Sequence, residues 1–301
     1  MGYTILDGGM GQELLKRHGG KPTPLWATQV MIEAPEHVVD VHDAFFAAGA
    51  EIATTNTYAI LRDRLLDGPF EHQFQELHEL GCSLAVEARD RHGSGMVAGA
   101  LGPLGQSYVG DQGPPLAEAA ALYGEISRIH APMVDLYLAE TVPSLARARG
   151  VLEGTLSHGK PVWLAVTVDD VDGSKLRSGE PLVEVLELRE TWPFDVLLVN
   201  CSLPEAVTKA LETLDGASVP LGAYANGFIG ISRAFLGPKP TADTLETRKD
   251  LGPDAYCGFA ERWAEAGAVV LGGCCEVGPD HIRVLADRFA DAPEIHVRDS
   301  S

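Results

Sequence analysis

At 301 residues, 45% hydrophobic and 22% charged, the chain can bury a sizeable core as one large α/β domain or two smaller ones. A formal net charge of −20 argues against nucleic acid and anionic membranes as partners, since both need a basic surface. No run approaches membrane-spanning length, and the opening MGYTILDGGMG lacks the regions of a signal peptide. Five cysteines, one pair adjacent, do not form a secreted disulfide framework; a reducing cytoplasm is the expected setting.

Short apolar runs alternate with longer amphipathic stretches along the whole chain. The runs predict strands at 3–6, 51–55, 96–101, 134–139, 162–168, 196–199, 220–223 and 269–271. Between them, helical spacing covers 36–48, 70–91, 116–131, 142–157, 182–190, 205–214 and 255–266, and a last helix spans about 280–290. Pro204 with Glu205, and Pro279 with Asp280, are first-turn signals, whereas Gly49, Gly150 and Gly267 stand where helices should end.

Eight β/α repeats without a composition break predict a single (β/α)8 TIM barrel over residues 1–301. The competing architecture is an open doubly wound sheet, which usually carries a glycine-rich phosphate loop after its first strand. Gly8-Gly9-Met10-Gly11 occupies that place without the GxGxxG spacing. The longest irregular stretches, 102–115 and 227–253, follow strands and would wall or cover the catalytic face of a barrel; 239–252 reads equally well as a surface insertion.

A barrel does its chemistry at the C-terminal ends of its strands. Those ends read Asp7, Asn56, Gly102, Glu140-Thr141, Asp169, Asn200-Cys201, Asn226 and Gly273-Cys274-Cys275. Carboxylates, amides and thiols suit a zwitterion and a soft metal. Cys201, Cys274 and Cys275 match the three-ligand count of a catalytic zinc site with one open position. Adjacent cysteines face opposite sides of a regular strand, so the two glycines before Cys274 would have to bend the chain. Two other readings stand beside zinc: small buried apolar residues, or a redox disulfide that a reducing compartment disfavours. Cys82 and Cys257 lie in helical patterns and read as core.

ILDGGMGQEL at the start, TTNTY after the second strand, VNCS after the sixth and GGCC after the eighth together resemble the homocysteine S-methyltransferases, from Leu6 to about Asp287. The resemblance implies that Cys201, Cys274 and Cys275 hold zinc and that Asp7 and Glu140 hold the homocysteine ammonium. It also implies that the backbone of the 8–11 turn, Gly9 and Met10 included, receives the carboxylate. A carboxylate pair suits a cation, and amides at a helix start suit an anion. In isolation Asp7 also reads as a helix cap, and Glu140 as a partner of Arg147 or Arg149. AYANGFIG around Asn226 matches the family's corresponding loop only loosely. The absence of a cobalamin or folate module and of a C-terminal arm suggests a stand-alone enzyme with a small soluble donor.

The implied reaction moves a methyl group from a sulfonium or ammonium donor, such as S-methylmethionine, S-adenosylmethionine or a betaine, to the homocysteine thiol. Zinc would deprotonate that thiol without removing its nucleophilicity. Tyr58, Tyr108, Trp163 and Tyr224 are candidates for cation–π contact with the donor. A zinc barrel that senses a sulfur amino acid, and a different thiol or selenol acceptor, remain as alternatives.

Overall fold

The structure is a computed structural model and describes residues 2–19, 25, 27–110, 112–231 and 245–290. Much of the 227–253 stretch, residues 232–244, therefore lies outside the described residues, as does Asp111 in the 102–115 stretch. The eight strands are β1 (Thr4–Ile5), β2 (Ile52–Thr54), β3 (Met96–Leu101), β4 (Leu136–Val142), β5 (Val162–Val166), β6 (Val196–Asn200), β7 (Leu221–Tyr224) and β8 (Ala268–Leu271). All pair in parallel, in the order β1-β8-β7-β6-β5-β4-β3-β2. A parallel bridge between Leu6 and Ile52 joins the two edges, so the sheet closes into the expected (β/α)8 barrel.

The helices are α1 (Met10–His18), α2 (Ala27–Glu33), α3 (Pro35–Ala47), α4 (Arg62–Leu65), α5 (Phe74–His92), α6 (Leu116–His130), α7 (Leu145–Thr155), α8 (Pro204–Thr213), α9 (Pro253–Glu265) and α10 (Pro279–Phe289). Alternation along the strands divides the core in two. On β5, Trp163 and Ala165 face the barrel interior, while Val162, Leu164 and Val166 pack with the helices; Val196 and Leu198 against Leu197 and Val199 repeat this on β6. Both faces of a parallel strand are buried, which explains why the runs read as continuously apolar.

Four expectations are corrected. The segment after β5, Leu182–Glu190, is a 3-10 helix, because its buried residues Leu182, Val185 and Leu188 repeat every third position. Gly150 does not end a helix but lies inside α7, where an added Cβ would come within 2.8 Å of Ala119 Cβ on α6. Its role is close helix packing. β4 runs past residue 139 to Val142, with a register irregularity between Ala139 and Val142 that places Glu140 within the strand rather than after it. β5 ends at Val166, and Val168 instead bridges Leu176 in antiparallel fashion. α2 and α4 were not legible: each has seven residues or fewer, too short for a periodic pattern.

Candidate active site

A pocket of about 880 Å³, counting the space open to solvent at its mouth, sits on the C-terminal ends of the strands. It gathers Asp7, Gly9, Met10, Glu140, Cys201, Cys274 and Cys275, the residues expected to hold the metal and homocysteine. Among the described residues, no lysine, arginine or histidine lines it.

The thiols reach one place by different local devices. Cys201 follows β6, and regular alternation would turn it away from the interior side that Leu198 and Asn200 share. It adopts φ 46, in the left-handed region, and its amide donates to Tyr224 O at 3.2 Å. That conformation is unfavourable for a residue with a Cβ and persists where neighbours enforce it, often at functional sites. The Cys274-Cys275 turn packs on the start of α1: a Cβ on Gly9 would stand 2.6 Å from Cys274 O. Only glycine permits this approach. Cys274 N–H donates to Ala225 O at 3.0 Å, and the Gln12 side chain hydrogen-bonds Cys275.

The three sulfurs lie within 4.8 Å of one another. Cys201 and Cys274 are joined as a disulfide, with Cα atoms 5.8 Å apart, and Cys275 is a free thiol. This pairing runs against the expectation that a reducing compartment disfavours a disulfide here. Its physical reason is the convergence itself: two thiols brought together for one ligand are also close enough to oxidise. Cys82 and Cys257 are buried in helices, as expected of core residues.

The same pocket holds two carboxyl groups, that of Asp7, which is buried, and that of Glu140, which is half-buried. Asp7 accepts from Thr54 N–H at 2.6 Å and from Thr54 Oγ1 at 2.8 Å, so it is fastened to β2 and does not cap α1. Burial nevertheless pushes it up to about 7, against the lowering effect of the Thr54 bonds. Glu140 accepts from the Tyr224 hydroxyl at 3.1 Å, while the Arg147 guanidinium donates instead to Leu104 O. Burial, then the charge of Asp7, raise Glu140 to about 8, and the Tyr224 bond opposes them. A cation placed beside these two carboxyls would favour their ionised forms and offset both effects. Burial likewise pushes the Cys275 thiol up to about 12.

The amides expected to receive a carboxylate are partly committed. Gly9 N–H donates to Val277 O at 2.8 Å and Met10 N–H to Gly8 O at 2.9 Å. The next two residues, Gly11 and Gln12, also line the pocket, and their amides have no backbone acceptor among the described residues. The helix start still suits an anion, one residue further along.

The other strand ends divide. Asn56 lines the pocket and donates to Ala27 O at 3.1 Å. Asp169 caps the amides of Val171 and Asp172, and Asn226 Oδ1 accepts from Phe228 N–H; neither lines the pocket. Tyr58, Tyr108 and Tyr224 line it, but Trp163 does not: β5 begins at Val162, so Trp163 lies at the opposite end, buried in the barrel interior. One ring face is already covered on two of the tyrosines, with Arg64 Cζ 5.6 Å from Tyr58 and Arg177 Cζ 5.3 Å from Tyr108. Gln12, Thr54, Ser107 and Thr141 also line the pocket without having been expected there, although Gln12 and Thr54 lie within the ILDGGMGQEL and TTNTY motifs. Their signal is hydroxyl and amide groups beside the strand ends.

No helix among the described residues is long and apolar enough to cross a membrane. A 29% identical relative, the Escherichia coli homocysteine S-methyltransferase, aligns over 94% of each chain. The Bacillus subtilis homocysteine S-methyltransferase YbgG is 26% identical over 94% of this chain and 93% of its own. Crystal structures of the E. coli homocysteine methyltransferase MmuM superpose in a metallated form, TM-score 0.79 at 27% identity over 96% of both chains, and in an oxidized form, TM-score 0.78. The homocysteine S-methyltransferase profile matches residues 4–289, and the chain belongs to that family.

Proposed function

We propose that the chain methylates the thiol of homocysteine to give methionine, taking the methyl group from a small sulfonium or ammonium donor. Cys201, Cys274 and Cys275 in their reduced state would hold a zinc ion. One observation carries this reading: three sulfurs within 4.8 Å share a pocket with the carboxyls of Asp7 and Glu140. The donor set fits the metal, since tetrahedral zinc with Zn–S bonds of about 2.3 Å needs sulfurs about 3.8 Å apart, and thiolates are its preferred soft ligands. When bound, zinc would supply a site at which an alkyl thiol loses its proton near neutral pH and stays nucleophilic.

The chain's own residues do the rest. Asp7 and Glu140 hold the amino-acid ammonium, and the start of α1 receives the carboxylate, so the acceptor's side chain runs toward the cysteines. Thr54 fixes the Asp7 carboxyl and Tyr224 fixes that of Glu140. Tyrosine rings, in a wall whose described residues include no basic side chain, accommodate a cationic donor. A new S–CH3 bond forms as the donor's C–S or C–N bond breaks; the bonding pair leaves with a neutral sulfide or amine, and the acceptor's proton goes to solvent. Donor charge is what makes the methyl group labile. The reduced cysteines this chemistry needs are those of a cytoplasmic setting.

The test is a methylation assay with homocysteine against S-methylmethionine, S-adenosylmethionine, glycine betaine and dimethylsulfoniopropionate, using reduced, metal-supplied protein. Methionine formed with at least one donor supports the reading; none with any donor refutes it.

A further inference from the structure

We infer that Asn200 is a positioning residue that holds Glu140 in place for the acceptor's ammonium group, acting through Thr141; the inference rests on the function proposed above. Asn200 ends β6 and is completely buried. Its side chain crosses to β4, where Oδ1 accepts from Thr141 N–H at 3.1 Å and Nδ2 donates to Thr141 Oγ1 at 3.2 Å. The backbone amide can only donate, which fixes the orientation of the side-chain amide.

Thr141 needs such a clamp. It is β-branched yet adopts φ 55, in the left-handed region, within the β4 irregularity that sets the direction of Glu140. Its hydroxyl also meets Tyr58, whose own hydroxyl lies 2.7 Å from Ser107 Oγ, so the clamp extends along the pocket wall. The next residue after Asn200 is Cys201, itself left-handed. One buried amide therefore ties the junction bearing the carboxylate to the junction bearing a thiol. Ser202 secures the far side, its Oγ accepting from Val168 N–H at 3.0 Å. Without the amide, Thr141 would relax toward the ordinary β region and Glu140 would lose its aim.

The discriminating experiment compares homocysteine with 4-mercaptobutyrate, the same thiol acid without the ammonium group, by calorimetric binding and by steady-state kinetics. In the parent protein homocysteine should bind more tightly, and Asn200→Ala should reduce that preference by about tenfold or more, chiefly through KM. Thr141→Gly added to Asn200→Ala should restore part of the preference, because glycine takes the left-handed conformation unaided. Thr141→Val, which keeps the shape but loses the hydroxyl, should reduce it by a few fold and remains informative if Asn200→Ala does not fold. Equal losses for both acceptors, an unchanged preference, or a parent that binds the two alike would overturn the inference. Ammonium-selective binding without methyl transfer would instead overturn the functional reading and leave the binding comparison decisive for Asn200.

Discussion

Replacing Glu140 with glutamine should weaken homocysteine binding and strengthen the fold. The glutamine carbonyl can still accept from Tyr224, so the change removes a charge with little change of shape. Loss of one buried, charge-assisted partner for an ammonium group corresponds to about 1.5–3 kcal/mol, or roughly 10- to 150-fold in affinity. The stability effect follows from linkage. Burial and the neighbouring Asp7 raise Glu140 from an ordinary 4.5 to about 8. Between those values the folded chain keeps a proton that the unfolded chain releases, so ligand-free stability falls as pH rises through that window. At about 1.4 kcal/mol per pKa unit, the site sacrifices a few kcal/mol at pH 8, which the glutamine variant recovers. At about 2 °C per kcal/mol, a recovery of about 4 kcal/mol raises the melting temperature at pH 8 by roughly 8 °C, with a much smaller gain at pH 5. Calorimetric titration with homocysteine and thermal unfolding at both pH values read the two effects. Parent-like affinity together with an unchanged melting temperature at pH 8 would refute the reasoning.

Tyr224→Phe removes the hydroxyl that lowers Glu140, so the carboxyl should titrate at higher pH. The rise of homocysteine affinity with pH should move upward by up to about one unit, read from KM against pH. Gly9→Ala drives a Cβ toward Cys274 O, at 2.6 Å in the present geometry. The helix start and the cysteine turn must separate, so metal retention in a chelator competition should fall by about tenfold or more while the far-UV spectrum stays unchanged. Gly150→Val forces α6 and α7 apart at a site where even a Cβ stands 2.8 Å from Ala119. A loss of about 1–3 kcal/mol in denaturant midpoint is expected, with no change in KM.

The barrel was legible because parallel strands buried on both faces leave continuous apolar runs, and residues such as Leu197 and Leu198 are apolar whichever core they serve. The cysteines were legible for a related reason: strand ends in this fold define one face, so Cys201 and Cys274 fall together although 73 residues apart. What the sequence hid is set by single residues and by tertiary contact. A register irregularity at Glu140 and left-handed conformations at Thr141 and Cys201 leave no periodic trace. The Asn200 clamp depends on a partner 59 residues away. Trp163 was placed on the wrong end because an aromatic residue beside a strand does not itself say which end it occupies.

The central claim, that the three thiols hold a catalytic metal ion, is tested most directly by elemental analysis of protein reduced and purified under reducing conditions. The account predicts about one zinc per chain, lost on Cys274→Ser or Cys275→Ser together with methyl transfer. A folded, metal-free triple Cys→Ser variant that methylates homocysteine as well as the parent would contradict it.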